Sequence, residues 1–306
     1  MHRLVALLLL LLLLLPSCAS SPPPSDAPFA VVLGIAQDGG YPQAGCNRSD
    51  CIAAWNDPSL RERVASLAII DPVSNERWII EATPDFPSQL RTLDEIAPGT
   101  LSGILLTHAH IGHYAGLIHL GREVMGTRGV PVYAMPRMRA FLEKNGPWDQ
   151  LVRLRNVELR PIEQESRLNE RITVTALTVP HRDEYSETAA FIVRGADRAI
   201  LWLPDIDKWE KWTTRIEDVL ATVDVAYLDA TFFDERELPG RDLSEIPHPT
   251  ISESMSRFSS LPANARAKIR FIHLNQSNPA LRDRATQKLI IDRGFGIARD
   301  GERQPL

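Results

Sequence analysis

Cysteine, surplus positive charge and long apolar runs are all scarce in this chain, and each scarcity removes a class of protein. Of its 3 cysteines, Cys18 falls in a leader, so Cys46 and Cys51 are the thiols left to the mature chain. Two thiolates cannot close a tetrahedral structural zinc site alone. Lysine and arginine number 34 against 39 acidic residues, a net charge of −5 with no basic stripe, which leaves a nucleic-acid partner without electrostatic support. The leading apolar run, residues 4–15, is shorter than the roughly 20 residues that span a bilayer. No internal repeat of fixed period is present. What remains is a chain of 306 residues, 44% of them hydrophobic, long enough to bury one large core. It reads as one catalytic domain with a small-molecule substrate.

The N-terminus reads as an export signal. Met1-His2-Arg3 is a short basic region, residues 4–15 are apolar, and Leu15-Pro16-Ser17-Cys18 follows. The stretch resembles a bacterial lipoprotein signal, which implies a signal peptide over residues 1–17, cleavage before Cys18 and lipidation of its thiol; the alternative is a plain secretory signal cut nearby. Either way the domain leaves the cytoplasm. Ala19 is not the aspartate that retains lipoproteins in the inner membrane in enteric-type sorting, so the expected location is the bacterial cell envelope, lipid-anchored in the outer membrane and facing the periplasm. Membrane contact is then through the lipid alone. Residues 18–28, with Pro22-Pro23-Pro24, form a tether, and 29–306 the domain. In an oxidising compartment Cys46 and Cys51 favour a disulfide over a metal clip.

Three of the 8 histidines lie within Thr107-His108-Ala109-His110-Ile111-Gly112-His113. The apolar run Gly103-Ile104-Leu105-Leu106 before them predicts a buried strand that delivers ligands at its C-terminal end. His108 and His110 alternate along extended chain and can face one point. His113 opens a helical pattern in which Leu117, Leu120 and Val124 could cover a sheet. Imidazoles converging in this way suit zinc, iron or manganese. Four further predicted strands end in ligand-type residues: Pro180-His181, Pro204-Asp205-Ile206-Asp207, Asp229-Ala230-Thr231 and His273-Leu274-Asn275-Gln276. Between these lie predicted helices over 85–96, 138–144, 148–154, 208–220, 252–261 and 283–292. Each half of the chain reads as a strand layer covered by helices, an α/β (α+β) architecture of four αββα layers. Trp202, Trp209 and Trp212 read as core and surface cover.

Together these strand ends resemble the metallo-β-lactamase fold, whose pattern is H-x-H-x-D-H followed by a histidine, an aspartate and a final histidine on later strands. The resemblance implies that His108, His110 and His181 hold one metal and His113 and His273 a second, with Asp205 bridging. Gly39-Gly40-Tyr41-Pro42-Gln43, Pro180-His181-Arg182 and His273-Leu274-Asn275-Gln276-Ser277-Asn278-Pro279 are similar to the pyrroloquinoline quinone biosynthesis protein B branch. Two positions depart from it. Arg48 stands where that branch carries a further cysteine, which supports a Cys46–Cys51 disulfide. Gly112 stands where the motif has its aspartate, so the second metal lacks a ligand, with Asp207 a possible substitute.

The resemblance implies a hydrolase of a small ester, lactone, amide or phosphodiester, using one or two zinc ions, with iron or manganese as alternatives. Asp205 is then both ligand and catalytic group, while Tyr185, Asp229 and His248 are candidate proton donors. The branch implies a rival, a metal-dependent oxidoreductase in quinone-cofactor biosynthesis, against which export weighs. A third reading is a binding protein that lost activity through Gly112. The sequence leaves the substrate and the oligomeric state open.

Overall fold

A computed structural model describes residues 26–162 and 164–306. The signal peptide over residues 1–17, the lipidated Cys18 and the tether as far as residue 25 lie outside the described residues. The end of the tether is already engaged: the Asp26 carbonyl accepts from Arg171 Nη2 at 2.6 Å, and the Pro28 carbonyl from Leu306 N at 2.8 Å.

The first sheet contains β1 (Phe29–Gly34), β2 (Ser66–Asp71), β3 (Glu76–Ile80), β4 (Thr100–Leu105), β5 (Val130–Ala134) and β6 (Val157–Pro161). The second contains β7 (Ser166–Arg167), β8 (Thr173–Val179), β9 (Thr188–Arg194), β10 (Ala199–Leu203), β11 (Val225–Asp229), β12 (Ile269–Ile272) and β13 (Gly296–Ile297). A last strand, β14 (Arg303–Pro305), returns to pair antiparallel with β1, so each sheet has 7 strands.

Period-two alternation decides what each face meets. Val31 and Leu33 of β1 and Ala68 and Ile70 of β2 face outward, where α2 (Phe86–Ile96), α4 (Pro136–Lys144) and α5 (Trp148–Arg153) cover them with Phe86, Leu93, Met138, Leu142 and Leu151. Ala30, Val32, Leu67 and Ile69 belong instead to the central core, together with Phe191, Val193, Trp202 and Tyr227 of the second sheet. That sheet is covered by α6 (Ile216–Ala221), α7 (Ile251–Arg257) and α9 (Arg284–Asp292), whose Ile216, Leu220, Ile251, Met255 and Ile290 join the same core. The result is the four-layer αββα sandwich. Smaller helices α1 (Ser49–Asn56), α3 (Ile111–Tyr114) and α8 (Ala263–Arg266) complete it. Trp202 is fully buried, and Trp209 and Trp212 are buried, as core residues. Among the described residues no helix is long and apolar enough to cross a membrane.

Three predicted helices are interrupted, the one over 252–261 being α7 followed by a 3-10 turn, Phe258–Ser260. The one opening at His113 is α3 followed by a 3-10 segment, Ala115–Leu120; Leu117 and Leu120 are buried, but Val124 is 63% exposed. Gly116 lies so close to the loop after β3 that a Cβ there would come 2.2 Å from the Thr83 carbonyl oxygen, which fixes the backbone against that loop. The helix predicted over 208–220 divides into a 3-10 turn, Trp209–Lys211, and α6. Its start is drawn elsewhere: Lys208 Nζ donates to the His248 carbonyl and to Glu253, and Trp212 Nε1 to the Thr178 carbonyl.

β3 to β6 run parallel, as do β10 to β13. Their C-terminal ends carry the histidine- and aspartate-bearing loops, the position expected for a ligand site in sheets of this kind.

Candidate metal centre

β4 is paired on both sides, and its buried Ile104 and Leu105 carry the chain directly to Thr107 and His108. His108 Nε2 and His110 Nδ1 approach to 2.8 Å. His113 follows one turn into α3, and its Nε2 reaches 3.1 Å from Asp205 Oδ2, in the loop after β10. His181, after β8, has Nε2 3.6 Å from the other oxygen, Asp205 Oδ1. His273, after β12, has Nε2 3.4 Å from Asp205 Oδ2. All six residues that the motif resemblance names therefore meet at one point. Asp205 turns Oδ1 toward His181 and Oδ2 toward His113 and His273, while His108, His110 and His181 form one group of three imidazoles.

These separations carry chemical meaning. Donors about 2.0 to 2.1 Å from one tetrahedral zinc stand about 3.3 Å apart. Both ring nitrogens of His181 are also buried without a hydrogen-bond partner among the described residues. Buried polar atoms left in that state are costly unless something else meets them. His181 Nε2, without a partner and 3.6 Å from Asp205 Oδ1, together with the His113 and His273 nitrogens 3.1 and 3.4 Å from Asp205 Oδ2, fits a zinc-type cation.

Electrostatics agrees. Burial holds the His108 imidazole well below its usual range and brings His181 down to about 4, so both are neutral, the form that ligates metal. Burial opposes the charge on Asp205, yet His273 and His113 outweigh it and hold the carboxyl well below the usual carboxylate range. His113 is pulled down by burial and more strongly raised by Glu81 and Asp205, ending well above its usual value. Glu81 follows β3 with φ 74, a left-handed backbone that is costly for a residue with a side chain. That turn aims its fully buried carboxylate at Thr107 Oγ1, 2.6 Å away, and at His113 Nδ1, 3.3 Å away. His273 also sits at positive φ, 63°.

Sequence reading missed one acidic residue. Asp38, in the glycine-rich loop after β1, has Oδ1 3.1 Å from His113 Nε2 and 3.4 Å from His273 Nε2. Burial opposes its charge, but hydrogen bonds from these histidines hold the carboxyl well below the usual range. Asp207, the substitute suggested by the sequence, is committed elsewhere: its Oδ2 pairs with Lys211 Nζ at 2.7 Å and its Oδ1 accepts from Lys208 N.

The candidate proton donors separate. His248 Nδ1 lies 2.7 Å from Asp229 Oδ2 and 3.8 Å from Asp205 Oδ1, with its ring 5.1 Å from that of His181. Burial lowers it, Asp229 more than compensates, and the net shift is upward. Asp229 also accepts from the Ile206 and Thr231 backbone amides, so it serves both as a loop organiser and as the partner of His248. Tyr185 is 64% exposed, with its ring against Phe141. Its neighbour Glu184 does reach His110 Nε2, at 3.0 Å.

Cys46 and Cys51 are joined as a disulfide. Arg48 adds a bond from Nη2 to the Gln276 carbonyl, and Gln43 Nε2 reaches Gln37 Oε1 and Asn275 Oδ1. The disulfide loop is thereby fastened to the segments that carry Asp38 and His273.

Paired seven-stranded sheets with a buried histidine and aspartate cluster at their strand ends define a metallo-β-lactamase-fold protein. Residues 76–273 match the β-lactamase superfamily domain, and the chain belongs to that family. It is similar to coenzyme PQQ synthesis protein B of Methylorubrum extorquens, 25% identical with 89% of this chain and 97% of the relative covered. To the same protein of Rhodopseudomonas palustris it is 27% identical, with 90% and 99% covered. Among solved structures, zinc-bound PqqB from Methylobacterium extorquens matches with a TM-score of 0.75 at 22% identity, covering 91% of this chain and 100% of that one. A diphosphatase from the PhnP family matches at 0.67 and 22% identity, covering 91% and 97%.

Proposed function

We propose that the protein is a zinc-dependent hydrolase of a small ester, lactone, amide or phosphodiester. The observation that carries this reading is the division of Asp205, one oxygen toward His181 and the other toward His113 and His273. Such a carboxylate suits two adjacent cations. Zinc bound there would polarise a carbonyl or phosphoryl oxygen and acidify a water. His108, His110 and His181 would supply nitrogens to one position, while His113, His273 and Asp205 would serve the second. His248, oriented through Nδ1 by Asp229, holds a proton for the leaving group. Tyr185, next to Glu184, offers a phenol at the rim to a bound substrate.

A second reading, a metal-dependent oxidoreductase in pyrroloquinoline quinone biosynthesis, is favoured by the names of the relatives, which this chain covers almost completely. Metal content of the purified chain, with His108→Ala/His110→Ala as control, separates the two. About two equivalents of zinc, lost in the control and accompanied by turnover in an ester, lactone and phosphodiester screen, support the hydrolase. About one equivalent of redox-active iron would favour the oxidoreductase, and a folded chain without metal would refute both.

The leader reading adds that the protein is lipid-anchored through Cys18 in the bacterial envelope. Radiolabelled palmitate incorporation that survives Cys18→Ser would refute it.

A further inference from the structure

We propose that Asp38 is the carboxylate ligand of the second metal position, supplied from the loop after β1 into the space that Gly112 leaves open. The proposal rests on the metal-centre reading above but not on any particular reaction. Gly112 is not among the residues at positive φ, so its backbone does not require glycine. Space does require it. A Cβ at residue 112 would come 2.4 Å from Asp38 Oδ1 and 2.5 Å from Asp38 Cα, closer than real Cβ contacts allow. A side chain at 112 and Asp38 in its present place exclude each other.

What Asp38 gains is a ligand's position. Its Oδ1 stands 3.1 Å from His113 Nε2 and 3.4 Å from His273 Nε2, and those nitrogens stand 3.1 and 3.4 Å from Asp205 Oδ2. Four donor-to-donor separations match the roughly 3.3 Å edge of a tetrahedral zinc site. The loop's register is tied to one of those ligands: Gln37 N donates to the Leu274 carbonyl and Leu274 N to the Ile35 carbonyl, each at 2.9 Å, beside His273. Asp38 is thus held against the second position by the backbone of the strand end that carries His273.

Zinc per chain and its affinity, by elemental analysis and chelator competition on the purified full chain, test this, with circular dichroism to confirm folding. The wild type is expected to hold about two equivalents, and Asp38→Ala about one, with the second weakened by at least about tenfold. Asp38→Asn, which keeps the size of the side chain but not its charge, is expected to weaken the second equivalent as well. Asp38→Ala retaining both equivalents at wild-type affinity would overturn the proposal while leaving the two-metal centre standing. An Asp38→Asn chain that folds and holds both equivalents at wild-type affinity would overturn it as well. A wild type that binds a single equivalent, or none, would overturn both the proposal and the reading beneath it.

Discussion

Replacing Glu81 with glutamine tests how the centre holds His113. The carboxylate is fully buried and has two partners, Thr107 Oγ1 at 2.6 Å and His113 Nδ1 at 3.3 Å. Its charge favours a proton on Nδ1, so that Nε2, the atom facing Asp38 and Asp205, would be the nitrogen offered to a bound metal. A glutamine oxygen can still accept from Thr107, so that bond falls from a charge-assisted one, about 1.5–3 kcal/mol, to an ordinary one of about 1 kcal/mol. The amide no longer selects the tautomer. Losing a group that orients a metal-binding histidine typically weakens the metal 10- to 100-fold, or about 1.4–2.7 kcal/mol. Chelator competition should show this loss in the second equivalent, with the first unchanged. In the metal-free chain, His113 is raised above its unfolded value, so its stabilising contribution is complete below about pH 6.5 and disappears as pH rises through the folded value. The wild-type advantage in urea melts should accordingly be about 2–4 kcal/mol at pH 6 and shrink at alkaline pH. A variant with wild-type affinity for both equivalents and a pH-independent stability difference would refute the argument.

Replacing Cys46 and Cys51 by serine reopens a six-residue loop, which chain entropy values at about 2 kcal/mol; the urea midpoint should fall accordingly, and an unchanged midpoint would mean the loop opens before global unfolding. Asp229→Asn removes the charge that raises His248, so the alkaline limb of the rate profile should move to lower pH with zinc content unchanged. A profile that stays in place would remove His248 as the proton donor. Trp78→Ala, at a fully buried core position, should cost about 3–5 kcal/mol by calorimetry while the folded remainder keeps its metal content; a cost below about 1 kcal/mol would mean the core refills.

The legible part of the site was local. Ile104-Leu105 followed by His108 announces a buried strand ending in ligands because burial and alternation act over a few residues. His181, Asp205 and His273 follow apolar runs in the same way, and covering both faces of each strand layer requires the four-layer packing. Asp38 was illegible for the opposite reason. Its role depends on the Ile35 and Leu274 backbones meeting and on a missing Cβ at Gly112, neither of which leaves a pattern around residue 38 itself. The sequence read Gly112 as a loss, whereas the structure finds a carboxylate beside it. Helix continuity past Tyr114 failed because Gly116 N donates to the Ala82 carbonyl, in the loop after β3, rather than within its own helix. Tyr185 has its ring against Phe141, while the adjacent Glu184 reaches His110.

The collision between a Cβ at 112 and Asp38 also restricts how such a centre can change over generations. A lineage carrying the motif aspartate cannot acquire Asp38 in this position without displacing one carboxylate, and a lineage carrying Asp38 cannot regain a side chain at 112 by a single step. Any passage between the two arrangements runs through a chain with neither carboxylate or through one with both in conflict. Residues 38 and 112 are therefore constrained as a pair, because the loop at 38 fills the space that a Cβ at 112 would need.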